Sequence, residues 1–445
     1  MNILFISASL LDSSFENNQK KRLFFESVRK EIYSYKKGLT FGILAAVTPG
    51  KHNIKFIEGN SKSINYEIDC DIVGISADTY TSITAYKIAD EFRKRGKIVV
   101  LGGYHPSLMP KEAKKHSDSV VIGEADETWP QLLIDLENGK LKSFYYPKRP
   151  VDPKIIPHPR YEIYTKGTKF GIQATRGCPI GCEFCSITNM RFGNIFRKRP
   201  IENVIKEIKA LPNKVFIFTD NALTIDTKYS KKLFREMRGL NKKFTAYATI
   251  DVLGRDDEFL RLAREAGCEG WLIGFEYLCQ ESLNGVGKKN NRVDDYLSSV
   301  KKIHDYGIQI DGYFVFGFDH DPPDIFEKTI EFVRKAEIDF PYGVVLTPFP
   351  GTPIFKKLDS EGRILSKDWS KYNFEYVVYQ PKNMTPEELA KKVNQLDYEW
   401  YNTSKVLKQI LKSIKLGTNT LVKTTVRHID FAYQRLNHNS IKAVQ

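Results

Sequence analysis

The sequence predicts an α/β protein built as a doubly wound parallel sheet, a second run of strand–helix units and a helical extension. Three observations predict this. Short apolar runs alternate with helix-period segments through both of the first two stretches, a pattern that calls for parallel strands joined by crossover helices. Residues 141–168 between them carry five prolines and little periodicity, which reads as a linker. At 445 residues the chain is too long for one ordinary domain. The division expected is 1–140, the linker 141–168, 169–352, and an extension 353–445 with a basic tail.

In the first stretch the strand runs are 3–6, 54–57, 72–75, 98–101 and 120–122, with helix patterns clearest at 84–95 and 127–137. Ligands of such sheets bind at the carboxyl ends of the strands. Those ends hold Ser76, Thr79 and Thr81, then Gly102, Gly103 and His105, then Gly123 and Glu124. Glycines there let backbone approach a large ligand closely.

Three of the six cysteines, Cys178, Cys182 and Cys185, are spaced C-x3-C-x2-C after a strand-like run. Thiolates are soft ligands for iron–sulfur clusters or zinc. A [4Fe–4S] cluster usually takes four cysteines, and here no obvious fourth follows. That leaves one iron open, as a substrate-binding cluster requires. A zinc loop needs a fourth protein ligand near by. Phe184 adds an aromatic face beside the sulfurs. Cys70, Cys268 and Cys279 read as core thiols.

The cysteine spacing, with an aromatic before the last sulfur, resembles the radical S-adenosylmethionine (SAM) superfamily. The resemblance implies a [4Fe–4S] cluster whose open iron is chelated by SAM. Six strand–helix units, with strands at 170–174, 215–219, 244–249, 271–276, 310–316 and 344–347, resemble that family's partial (β/α)6 barrel, where chemistry sits on the loops after the strands. Asp220 and Asn221 follow the second strand, where the family binds the SAM amino group, although the usual G-G-E type sequence is missing. Thr249 and Asp251 end the third strand. Glu276 resembles the ribose contact, Gly312 to Gly317 an adenine shelf, and PFPGT at 348–352 a recurrent segment. Plain strand-end capping is the competing role for each polar residue.

The patterns GISADTYTSITAYKIADEFRKRG, VVLGGYHPSLMPKEA and VVIGEADETWPQLL resemble the cobalamin-binding domain that precedes many such barrels. The D-x-H-x-x-G motif is absent. The resemblance is therefore to the subgroup in which the protein gives cobalt no histidine, and His105 is a candidate contact but not an assumed cobalt ligand. Together the chain resembles cobalamin-dependent radical SAM enzymes, the class of hopanoid methylases and the magnesium-protoporphyrin cyclase. That class implies SAM cleavage to a 5′-deoxyadenosyl radical, hydrogen abstraction, and methyl transfer from cobalt to carbon. The expected reaction is methylation of an unactivated carbon of a hydrophobic or lipid-like small molecule, with an external electron donor such as a flavodoxin or ferredoxin. Cyclisation or oxidation with the same cofactors, and a non-catalytic cobalamin sensor, stay open. A tRNA methylthiotransferase needs three further N-terminal cysteines, but only Cys70 precedes Cys178; nucleic acid is not an expected partner.

The net charge is +14. From residue 401 onward eight basic residues (Lys405, Lys408, Lys412, Lys415, Lys423, Arg427, Arg435 and Lys442) face one acid, Asp430. A basic amphipathic helix there can lie on an acidic membrane surface or pack on the barrel. No run of 18 apolar residues occurs, and clustered cysteines without a disulfide framework point to a reducing cytoplasm. Thr385 with Glu388 forms a capping-box pattern.

Overall fold

The structure is a computed structural model that describes residues 1–9, 39–164, 170–285, 288, 291–401, 406–407, 409–411, 424–425 and 441–444. Apart from Lys442, the basic residues of the tail lie outside the described residues.

The first sheet is parallel throughout, in the order β2-β1-β3-β4-β5-β6. Its strands are β1 (Asn2–Ala8), β2 (Asn53–Gly59), β3 (Ile72–Ser76), β4 (Ile98–Gly102), β5 (Ser119–Val121) and β6 (Phe144–Tyr145). β3 and β4 are near-continuous apolar runs because helices cover both faces. β6 comes from the segment read as linker: its Tyr145 Oη donates to Asp135 at 2.9 Å. The rest of that segment is a staple between the two units. Tyr164 Oη accepts from Gly42 N of the first unit at 2.8 Å, while Tyr161 Oη donates to Glu207 of the second at 2.7 Å.

The second sheet starts at β7 (Gly171–Ile172). An antiparallel ribbon, β8 (Thr175–Arg176) and β9 (Arg197–Lys198), then brackets the cysteine segment. β10 (Val215–Phe218), β11 (Lys243–Ala248), β12 (Cys268–Glu276), β13 (Gln309–Phe316) and β14 (Phe340–Val345) complete an open parallel barrel, ordered β14-β13-β12-β11-β10-β7. Alternation decides which side chains face inward. Along β11, Phe244, Ala246 and Ala248 are buried against helices, and Lys243, Thr245 and Tyr247 face the half-open interior.

The extension holds the helices Pro353–Ser360 and Pro386–Trp400 and a parallel pair, β15 (Tyr376–Val377) with β16 (Lys442–Ala443). The capping box forms: Glu388 N donates to Thr385 Oγ1 at 3.1 Å, and Thr385 N to Glu388 Oε2 at 2.8 Å. The extension also returns to the first sheet. Trp369 Nε1 donates to Glu112 Oε1 at 3.0 Å, and that carboxylate also takes Tyr86 Oη at 3.1 Å and pairs with His105 Nε2 at 3.2 Å. Around this hub Phe355, Trp369 and Tyr372 pack with Ile83 and Met109 of the first unit. Among the described residues, no helix is long and apolar enough to cross a membrane.

Candidate active site

The carboxyl ends of the first sheet face the barrel mouth, and a cavity of about 490 Å³ lies between them. Ser76, Thr81, Gly102, Gly103, Gly123 and Glu124 line it from the first unit; Gln173, Arg176, Gly177, Thr219 and Asn221 line it from the barrel. Below the strand ends the walls turn apolar, with Phe5, Phe41, Gly74 and Trp129. Gly103 has φ +99°, and a Cβ there would stand 2.7 Å from the Ala77 carbonyl oxygen. Such a bare backbone platform above an apolar well fits a bulky ring-shaped cofactor such as a corrinoid.

Two expected contacts fall away. His105 is fully buried on the far side of its short helix, held by Glu112, and is not part of the cavity wall. Thr79 is buried under its turn, where its carbonyl accepts from Ser82 Oγ at 2.8 Å. No histidine lines the cavity among the described residues. Tyr104 was missed. It is 41% exposed, yet burial pushes its phenol up to about 12, with Asp78, Cys185 and Tyr247 adding to the shift. Both facts hold because the ring stands in a space enclosed by the two units. Tyr104 opens the short helix Tyr104–Leu108 after the strand end, where a tyrosine carries no sequence signal comparable to that of the neighbouring histidine.

The cysteine loop is folded by its own backbone. Cys178 N donates to Gly193 O at 2.8 Å, Cys185 N to Cys182 O at 3.1 Å, and Asn189 Nδ2 to Cys185 O at 2.8 Å. Gly177, at φ +83°, passes so close to the Ile195 carbonyl that a Cβ would overlap it. All three thiols are free and half-buried. Burial pushes Cys182 up to about 12, with Lys288 opposing and Glu276, Cys185 and Cys178 reinforcing. Burial raises Cys178 as well, so these two thiols must release protons to bind metal. Among the described residues no three His, Cys, Asp or Glu side chains close round a single ion. A cube differs from a single ion in giving each thiolate its own iron, so three sulfurs spread along one loop fit a cluster better than zinc. Phe184 anchors the loop to the barrel rim, its ring 5.9 Å from Phe318.

Other expected residues take different places. Asp220 is 1% exposed, and its carboxylate accepts from Ala174 N at 3.1 Å, from Thr175 N and from Thr175 Oγ1 at 2.6 Å. It braces the strand that leads into the cysteine loop and has no face left for SAM; burial raises it to about 6. Asn221 does face the cavity. Thr249 Oγ1 is paired with Thr224 Oγ1 at 2.9 Å, and Asp251 with Arg255 at 2.9 Å. A Cβ on Gly312 would meet Ile338 and Phe275 on the helix side of the sheet, so Gly312 is no interior shelf. Gly317 is closed by Tyr379, whose hydroxyl donates to its carbonyl. Glu276 ends β12 at φ +61° and forms an ion pair with Lys288, which also donates to Gly274 O at 2.9 Å. Strained backbone of this kind is typical of ligand sites. Lys288 was missed because sequence does not reveal that its ammonium group stands close enough to Cys178 and Cys182 to act on them.

The comparisons agree with this geometry. Residues 172–333 match the family model of the radical SAM superfamily, and 45–133 that of the B12 binding domain. A bacteriochlorophyllide d C-12(1)-methyltransferase of Chlorobaculum tepidum is 34% identical over 353 residues, covering 76% of each chain. The bacteriochlorophyllide d C-8(2)-methyltransferase of the same organism is 32% identical, over 90% of this chain and 94% of the relative. The chain belongs to the cobalamin-dependent radical SAM methyltransferases. In fold this methyltransferase matches the solved structure of TsrM from Kitasatospora setae with cobalamin and a [4Fe–4S] cluster bound: TM-score 0.69, 14% identity, 98% of this chain and 99% of the other covered. Its cofactors are a [4Fe–4S] cluster, SAM and cobalamin.

Proposed function

We propose that the enzyme methylates an unactivated carbon of a hydrophobic small molecule, and that Cys178, Cys182 and Cys185 hold its cluster. The observation that carries this is a cavity walled both by the first unit's strand ends and by the cysteine ribbon, an arrangement suited to a methyl donor and a hydrogen-abstracting centre acting on one substrate. When bound, the cluster with SAM supplies radical hydrogen abstraction, and cobalamin supplies the methyl group. The chain's own work is positioning and exclusion of water. Gly102, Gly103 and Gly123 offer backbone to the corrinoid, Asn221 and the Glu276–Lys288 pair offer polar groups to SAM, and Tyr104 and Tyr247 wall the space where substrate lies. Relatives that act on bacteriochlorophyllide support a large, mostly apolar substrate. An external flavodoxin- or ferredoxin-type donor reaches the cluster past the exposed Gly181 and Glu183.

The test is anaerobic turnover of reconstituted, cobalamin-loaded enzyme with methyl-labelled SAM against tetrapyrrole and polycyclic lipid substrates. Label on a carbon of the product is expected. Conversion without label would replace the methylase reading by radical cyclisation or oxidation.

A further inference from the structure

The cysteine ribbon and the loop after β5 meet through two forked ion pairs. Arg176 and Arg197 stand opposite each other in the β8–β9 register. Arg176 donates to Asp126 through Nη1 at 2.7 Å and Nη2 at 3.0 Å; Arg197 donates to Glu124 through Nη1 at 2.7 Å and Nη2 at 2.8 Å. Both arginine side chains are 10% exposed, Asp126 5% and Glu124 20%. All four residues line the cavity.

The remaining donors are also committed. Arg176 Nε donates to Gln173 Oε1 at 2.8 Å, and Arg197 Nη1 also reaches Val151 O at 3.1 Å. A planar fork on a carboxylate fixes orientation as well as distance, and two side by side stop the ribbon from pivoting about either. Arg176 is two residues from Cys178, while Glu124 and Asp126 follow Gly123 on the cavity rim. Adhesion alone does not require this arrangement, because the Trp369 hub and the Tyr161–Tyr164 staple already join the units.

We propose that Arg176 and Arg197 are positioning residues that couple occupancy of the strand-end cavity by cobalamin to the posture of the cysteine loop. A ligand resting on Gly103 and Gly123 loads the loop that carries Glu124 and Asp126, and the forks pass that load to the ribbon. The coupling rests on the cobalamin reading of the cavity, and it is reciprocal: cluster loading changes cobalamin affinity by the same factor.

The experiment is titration of cobalamin, followed by absorption, into the full chain with and without its cluster. Wild type is compared with Arg176→Lys and Arg197→Lys, which keep the charge but lose the fork. In wild type the two affinities should differ by about fivefold or more, and in each lysine variant the ratio should fall to about one with iron content and Tm retained. The reduced cluster's EPR signal should respond to cobalamin in wild type and not in the variants. Exchanging the partners, Glu124→Arg with Arg197→Glu, should restore part of the ratio and guards against a lysine variant that misfolds. Equal affinities in wild type, or a ratio untouched by both lysine variants, would overturn the coupling while leaving cobalamin binding intact. No cobalamin binding in any form would instead sink the functional reading beneath it.

Discussion

Beside the Tyr161–Tyr164 staple, the first unit meets the rest of the chain along two seams that differ in kind. One, at the cysteine ribbon, is made of ion pairs, Arg176–Asp126 and Arg197–Glu124, and forms part of the cavity wall. The other, at the extension, is aromatic: Trp369, Phe355 and Tyr372 pack with Ile83 and Met109, and none of these five lines the cavity. Apolar burial is strong but non-directional. Forked ion pairs add little net stability once their desolvation is counted, yet they fix geometry. The seam on the cavity wall is thus the directional one, and the seam away from the cavity is the greasy one.

The largest expected effect leaves both seams intact. Cys182→Ala should abolish cluster assembly, read as loss of iron and of its absorption, while cobalamin still binds. A full iron complement in that variant would remove Cys182 from the ligand set. Next, Trp369→Ala should weaken the aromatic seam by about 3–5 kcal/mol, as removal of a buried tryptophan does, measured by denaturant unfolding. A loss as small as that of a surface residue would mean the extension does not bear on the first unit. Gly103→Ala forces a side chain into φ +99° against the Ala77 carbonyl. It should cost about 1–3 kcal/mol and weaken cobalamin binding without touching iron content.

The smallest effect is one of pH. Burial raises Asp321 from 3.8 to about 7, while Gly317 N and Phe318 N oppose the shift; Asp220 is likewise raised to about 6. Between 3.8 and these values the native state keeps protons that the unfolded chain has already shed. Stability therefore falls as pH rises through that window. Thermal unfolding of the metal-free protein should show the decline, and Asp321→Asn should flatten it. An unchanged slope in that variant would assign the effect to other groups. Neither carboxylate belongs to the two seams.

Much of this was legible in the residues. Strand and helix positions in both units followed from alternating apolar runs, because parallel sheets covered on both faces leave near-continuous patterns such as Ile72–Ser76. The cysteines were legible because chemistry restricts their spacing. Asp220 and His105 were legible only as strand-end polar residues. Whether such a carboxylate faces a ligand or braces a neighbouring backbone is decided by where Ala174 and Thr175 sit, and no local pattern carries that. Gly312 was misjudged by one step of strand parity, which moves a position from the interior to the helix side. The arginine forks join residues 50 and 73 positions apart in sequence, beyond the reach of any motif.

The self-bonded cysteine segment has a consequence for how the enzyme is made. Hydrogen bonds at Cys178 and Cys185, and the tight passage at Gly177, set the course of the loop through its own backbone. A side chain at Gly177 should therefore cost the enzyme its iron at assembly as surely as loss of a thiol would, although that residue offers iron no ligand atom.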